Sequence, residues 1–139
     1  MYEFETFTSI GSSFASKVSV RRNGTIGFSQ GALMKFGLDK GKWFAVLKFD
    51  RSAKVIGIYL TQNETELGAI KIQCREIPGR AGKKNLAGQI SARAFLDYFG
   101  IEYSDRSRAY VPVKDGDHII IDLKKEKGGL QGKEKFHTE

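Results

Sequence analysis

Apolar and polar residues alternate along residues 17–29. Val18 and Val20 are flanked by Lys17, Ser19 and Arg21, and Ile26 and Phe28 follow with Gly27 between them. A period of two is that of a strand with one buried face, so the segment reads as two strands. Asn23-Gly24 between them is the strongest short hairpin signal, because both residues tolerate the positive φ of a tight turn. This alternation puts Lys17, Ser19 and Arg21 on the face opposite the valines, with Arg22 at the turn. The period then changes. Ala32, Leu33 and Phe36 recur at helical spacing, Ser29 stands where an N-cap belongs, and Gly37 stands where a helix ends. Beyond the turn "LDKG", "KWFAVLKFD" and "KVIGIYLTQ" read as strands around the loop "DRSAK", and "GAIKIQCREI" reads as a fifth strand. Residues 78–88, "PGRAGKKNLAG", read as a flexible basic loop. After it "QISARAFLDYFGI" reads as a short strand and a helix, and "AYVPV" and "HIIIDL" flank the turn "KDGD".

The class this predicts is α+β and strand-rich: an antiparallel β-sheet or barrel with two short helices. Residues 1–123 form one compact domain, and residues 124–139 a flexible basic tail with little to bury. The two helical segments echo each other, since Phe36-Gly37-Leu38 matches Phe99-Gly100-Ile101 and Leu33 matches Leu96. The echo divides the domain into halves 17–77 and 86–123, two β-α-β-hairpin units. Such units pair either as a pseudo-dimer within one chain or as an interlocked homodimer.

Charge changes the picture next. The net +7 is uneven: from Lys17 to Lys54 nine lysines and arginines meet two acids, and from Lys71 to Arg93 six meet one. Residues 94–123 reverse the balance, with three basic residues against six acids. Positive charge gathered on part of a fold attracts polyanions and holds phosphate by releasing counterions.

Catalytic and metal chemistry find little material. Walker-type, GxGxxG, GxSxG, HExxH and paired CxxC motifs are absent, so the reading is non-enzymatic, with no cofactor and no metal. Asp115, Asp117, His118 and Asp122 are better explained by a hairpin turn than by a metal site. The single Cys74 excludes an internal disulfide and reads as a half-buried strand residue. Residues 1–16 lack the basic start and apolar run of a signal peptide, and no apolar run is long enough to span a bilayer. The expected location is therefore cytoplasmic, with no membrane partner.

The stretch "VSVRRNGTIGFSQGALMKFGLDKGKWFAVLKF" resembles the AbrB/MazE/SpoVT swapped-hairpin family of DNA-binding proteins over residues 17–49. Val18, Val20, Gly24, Ile26, Phe28, Leu33, Phe36, Gly37, Leu38, Gly41, Phe44 and Val46 carry the resemblance. It implies a dimer of interlocked hairpins, or one pseudo-dimer, with Arg21 and Arg22 on the arm that faces DNA. The leading expectation is a small DNA-binding regulator or accessory factor. Its phosphate contacts would come from Lys17, Arg21, Arg22, Arg80, Lys83, Lys84 and Arg93 on the hairpin, the loop and the second helix, and its partner would be DNA rather than RNA. A second expectation is a single-stranded nucleic-acid-binding sheet of the Whirly-like class, with Trp43, Phe44, Tyr59 or Tyr110 stacking on bases. A third is an interaction protein of phage or plasmid type whose charge serves no particular ligand.

Overall fold

The computed structural model describes residues 16–82 and 84–127, with the side chain of Arg80 excepted. The alternation at its start is realised as expected. β1 (Val18–Val20) pairs with β2 (Thr25–Phe28), setting Val18 opposite Phe28 and Val20 opposite Ile26, all four nearly fully buried. The turn between them differs from the tight two-residue form. Gly24 alone is left-handed (φ 86°), its N–H donating to Arg21 O at 2.9 Å, while the Asn23 side chain accepts from Thr25 N and Oγ1. A three-residue loop ending in a left-handed glycine also matches strand twist, and it needs positive φ at one residue rather than two.

Ser29 caps α1 (Gln30–Lys35): its Oγ accepts from Ala32 N at 3.2 Å and from Lys17 N at 2.9 Å. Gly37 (φ 70°) ends the helix, with Leu38 N bonding to Leu33 O and Gly37 N to Met34 O. α2 (Arg93–Tyr98) ends in the same way, through Gly100, Ile101 N to Leu96 O and Gly100 N to Asp97 O. The echo in the sequence is thus a repeated hydrogen-bond pattern, two helices closed by the same six-to-one and five-to-two bonds.

The remaining elements are β3 (Phe44–Asp50), β4 (Val55–Thr61), β5 (Ile70–Lys71), β6 (Gln73–Pro78), β7 (Lys84–Ser91), β8 (Arg108–Tyr110), β9 (Val113–Asp115) and β10 (His118–Asp122). They form two five-stranded antiparallel sheets, β6-β7-β2-β1-β8 and β5-β3-β4-β10-β9, and not a closed barrel. Corresponding strands of the two halves lie side by side: β2 against β7, with Ile26 opposite Ile90, and β4 against β10, with Ile58 opposite Ile119. The second half also lends the first an edge, since β8 pairs with β1, while β5 pairs with β3 within the first half. Inward residues of both sheets and both helices, among them Phe28, Leu33, Ile56, Ile90, Leu96 and Ile121, join one apolar cluster.

Three expected segments take other forms. The single strand expected over residues 68–77 breaks at buried Ile72, so β5 pairs in one sheet and β6 in the other. β6, assigned by sequence to the first half, forms a hairpin with β7. The expected loop 78–88 shrinks to a short turn at Arg80–Gly82, because Lys84 onward pairs with β6, and from Gly88 with β2 as well. Finally, residues 124–127 are not a free tail: Lys127 N donates to Ala109 O, Glu126 bridges Tyr110, and Arg106 grips the Glu126 carboxylate at 2.6 and 2.9 Å. The rest of the expected tail lies outside the described residues.

Candidate nucleic-acid interface

With Val18, Val20, Ile26, Phe28 and Ile90 turned inward, strand alternation assigns the opposite face of the first sheet. It carries Lys17, Ser19 and Arg21 on and beside β1, and Thr25 and Gly27 on β2. β7 adds Asn85, Ala87, Gln89 and Ser91, and β6 adds Gln73, Arg75 and Ile77. The registers agree, since Ser19 opposes Gly27, Gly27 opposes Gln89, Gln89 opposes Gln73 and Arg75 opposes Ala87. No acidic residue is among them.

Arg21 lies flat across the middle of this face. A Cβ at Gly27 would fall 2.2–2.6 Å from the Arg21 Nη2, Cζ and Nε atoms, so the guanidinium occupies space that only glycine leaves open. Arg21 Nη1 donates to Gln89 Oε1 at 3.2 Å, and Gln89 Nε2 donates to Gln73 Oε1 at 3.4 Å. The result is one polar row from β1 to β6 that crosses four strands and leaves most of the guanidinium's five donors without a partner among the described residues. A shallow depression of about 360 Å³ lies beside the row, lined by Lys17, Ser19, Arg21, Ile77, Asn85 and Ala87 among others. A smaller one of about 200 Å³ is lined by Arg21, Gln73, Arg75, Ala87 and Gln89.

The structure brings together some of the expected cations and separates others. Lys17 and Arg21 share the face. Arg22 is exposed on the adjoining turn, with its backbone N–H donating to Ser107 Oγ at 3.3 Å. Lys84 alternates with Asn85 and so belongs to the other side of the sheet, where its ammonium stands 3.7 Å from Glu76. Arg93 opens α2 and covers the Gly24 turn, its Cβ 2.8 Å from where a Cβ on Gly24 would be. Arg80 falls in the β6–β7 turn, but its side chain, like all of Lys83, lies outside the described residues. Arg75 joins the face without having been expected there. Its strand is visible in sequence, but Arg75 and Glu76 are adjacent, and only the pairing shows which of them faces outward.

The expected stacking residues lie elsewhere. Trp43 packs against the core and donates its indole N–H to Lys40 O at 2.9 Å. Phe44 is half-buried. Tyr110 is 3% exposed, so no base can reach its ring, and burial, with the nearby Glu126 charge, pushes its phenol up from the ordinary range. Tyr59 is accessible, but on the outer face of the second sheet, with the Lys48 ammonium 5.3 Å from its ring centre and the His118 ring 5.3 Å away. Lys48 Nζ and His118 Nε2 are 3.1 Å apart.

Cys74 is more exposed than expected, because β6 is an edge strand. Its Sγ approaches Leu38 O at 3.7 Å, and desolvation, with a smaller effect of Asp39, raises its pKa, so it stays a thiol rather than a reactive thiolate. Among the described residues no helix is long and apolar enough to cross a membrane. No protein-family model, curated protein or solved structure matches this chain.

Proposed function

We propose that this chain binds nucleic acid, duplex DNA ahead of RNA or single strands, on the outward face of β6-β7-β2-β1. The observation that carries the reading is the acid-free face crossed by Arg21, Gln89 and Gln73. Its outer cations stand in two rows, Lys17 at β1 and Arg75 at β6, with the Arg21 guanidinium between them over β2 and β7. Three interstrand steps of about 4.8 Å separate the rows, or about 14 Å in all. The major groove of DNA is about 12 Å wide, so the two rows match the phosphates along its walls while Arg21, Gln89, Gln73 and Asn85 face base edges between them. A relation to the AbrB/MazE/SpoVT swapped-hairpin proteins belongs to this proposal. What supports it is the order hairpin, helix closed at Phe36-Gly37-Leu38, hairpin, and the pairing of β2 with β7 and β4 with β10. In the single-strand version, buried Tyr110 drops out, and half-buried Phe44 and Tyr59 lie on the other sheet, with Trp43 just before it.

The test is a fluorescence anisotropy titration of labelled duplex and single-stranded DNA of equal length, repeated over a series of salt concentrations. Variants Lys17→Glu, Arg21→Glu and Arg75→Glu are compared with Lys84→Glu on the opposite side. Each substitution on the face should weaken duplex binding and lower the slope of log K against log salt by about 0.9 for each phosphate no longer neutralised. Lys84→Glu should leave both nearly unchanged. Absence of binding at low salt, or equal damage from Lys84→Glu, would refute the assignment.

A further inference from the structure

Away from that face, a cleft of about 320 Å³ opens where the β3–β4 turn, the end of α2 and the closing segment converge. Phe49, Phe99, Ile101 and Leu123 supply its apolar wall, and Arg51, Lys54 and Glu102 are among the charged residues of its rim. The wall belongs to an aromatic cluster in which Phe49 and Phe99 are 5.2 Å apart and Phe95 and Phe99 are 5.1 Å apart.

Most charges around the cleft are already matched. Arg108 is held by Asp105 at 2.9 and 2.7 Å and by the Glu102 carbonyl at 3.1 Å, and Glu126 is held by Arg106. Arg51, Lys54 and the Glu102 carboxylate are different: among the described residues none of them has an ion-pair partner. The Arg51 guanidinium is already stacked, 4.8 Å from the centre of the Phe99 ring, which leaves its other face for a second flat group. Lys54 is held in the left-handed region (φ 57°), a conformation an L-residue adopts at a cost, by Lys54 N to Asp50 O and by Leu123 N to Lys54 O. The Lys124 ammonium also reaches Ala53 O in the same turn.

We propose that this cleft is a nucleotide-binding site, taking a nucleobase on the Phe99–Arg51 stack and its phosphate at Lys54 and Arg51. Arginine planes stack well on bases, and a carboxylate accepts from exocyclic amino groups, so Glu102 favours amino-bearing bases over thymine or uracil. The volume admits about one nucleotide, at the small end of the roughly 300–1,000 Å³ of ligand sites. The ligand is therefore a free mononucleotide or a single unpaired base at a strand end. The site shares no residue with the DNA face and stands or falls separately from it.

The test is calorimetric titration of the intact chain with the four nucleoside monophosphates. A parallel series uses a short duplex with one unpaired 3′ base and the same duplex with blunt ends. Lys54→Gly is the central variant, since glycine accepts the turn's backbone and should not unfold the protein. Lys54→Gly and Arg51→Ala should each weaken binding about tenfold or more, as expected for loss of a charge-assisted hydrogen bond. Glu102→Gln should reduce the preference for amino-bearing bases, and Arg21→Glu should change nothing here. Saturable binding of monophosphates with this pattern supports the free nucleotide. Binding only of the overhanging duplex, with the same pattern, supports the strand end. No heat in either series, or affinities indifferent to Lys54→Gly and Arg51→Ala, would overturn the proposal.

Discussion

Gly27→Ala separates the pose of Arg21 from its charge. The three heavy atoms nearest to the added methyl are all at the guanidinium end of Arg21, at 2.2, 2.3 and 2.6 Å, so the flexible side chain must swing away. Alanine in a strand is favoured over glycine by about 0.5–1 kcal/mol. Losing the half-exposed Arg21–Gln89 hydrogen bond costs about 0.5–1.5 kcal/mol. The two nearly cancel, so urea unfolding should shift by less than about 1 kcal/mol in either direction. Binding should respond far more. A well-placed arginine on a base edge is worth about 1–3 kcal/mol, and losing it weakens affinity about fivefold to 150-fold. The phosphate contacts remain, so the salt slope should stay where it is, unlike that of Lys17→Ala, which should fall by about 0.9. Anisotropy titrations at several salt concentrations, run beside urea melts, read both effects. Affinity within twofold of the parent would refute the importance of the pose. A slope that falls as far as in Lys17→Ala would make Arg21 a phosphate ligand instead.

Ser29→Ala removes the acceptor for both Ala32 N and Lys17 N, and should cost about 1–2 kcal/mol in urea unfolding. Gly88→Ala would put a methyl 2.7 Å from Leu33 Cδ2, where Leu33 is fully buried, so it should destabilise by about 1–3 kcal/mol and lower the thermal midpoint. In acid the closing segment should loosen first. Arg106 holds the Glu126 carboxyl below its ordinary range, and Arg108 and Lys124 do the same for Asp105 and Asp122. Depressed carboxyl values contribute stability that is complete above the ordinary carboxylate range, about pH 4, and is lost as pH falls through the folded values. Unfolding followed at pH 7 and pH 3 should show that loss, and Glu126→Gln should show a smaller one.

Local chemistry made much of the fold legible in the sequence. The period of two at Val18, Val20, Ile26 and Phe28 defines strands and their buried side, and thereby the shared face of Lys17 and Arg21. Ser29, Gly37 and Gly100 mark helix ends because capping and left-handed backbone depend on residues only a few positions apart. The internal echo was visible for the same reason, as two helix-closing sequences repeated along the chain.

Pairing between distant strands was not legible. Residues 84–88 look like loop beside the glycines and lysines of residues 79–84, yet become strand because β6 pairs with them along their length and β2 joins at Gly88. That pairing turns Asn85, Ala87 and Gln89 outward, recruits Arg75, and sends Lys84 to the opposite side with Glu76. Tyr110 and Tyr59 look alike in sequence, but β8 lies against β1 over the core while β4 shows its other side to solvent. The sequence by itself determined where the backbone alternates, where helices begin and stop, and that positive charge is concentrated. Only the tertiary structure decided which of those charges share a surface, because a side chain's face depends on register with strands far along the chain, as for Arg21 and Gln89 (|i−j| = 68).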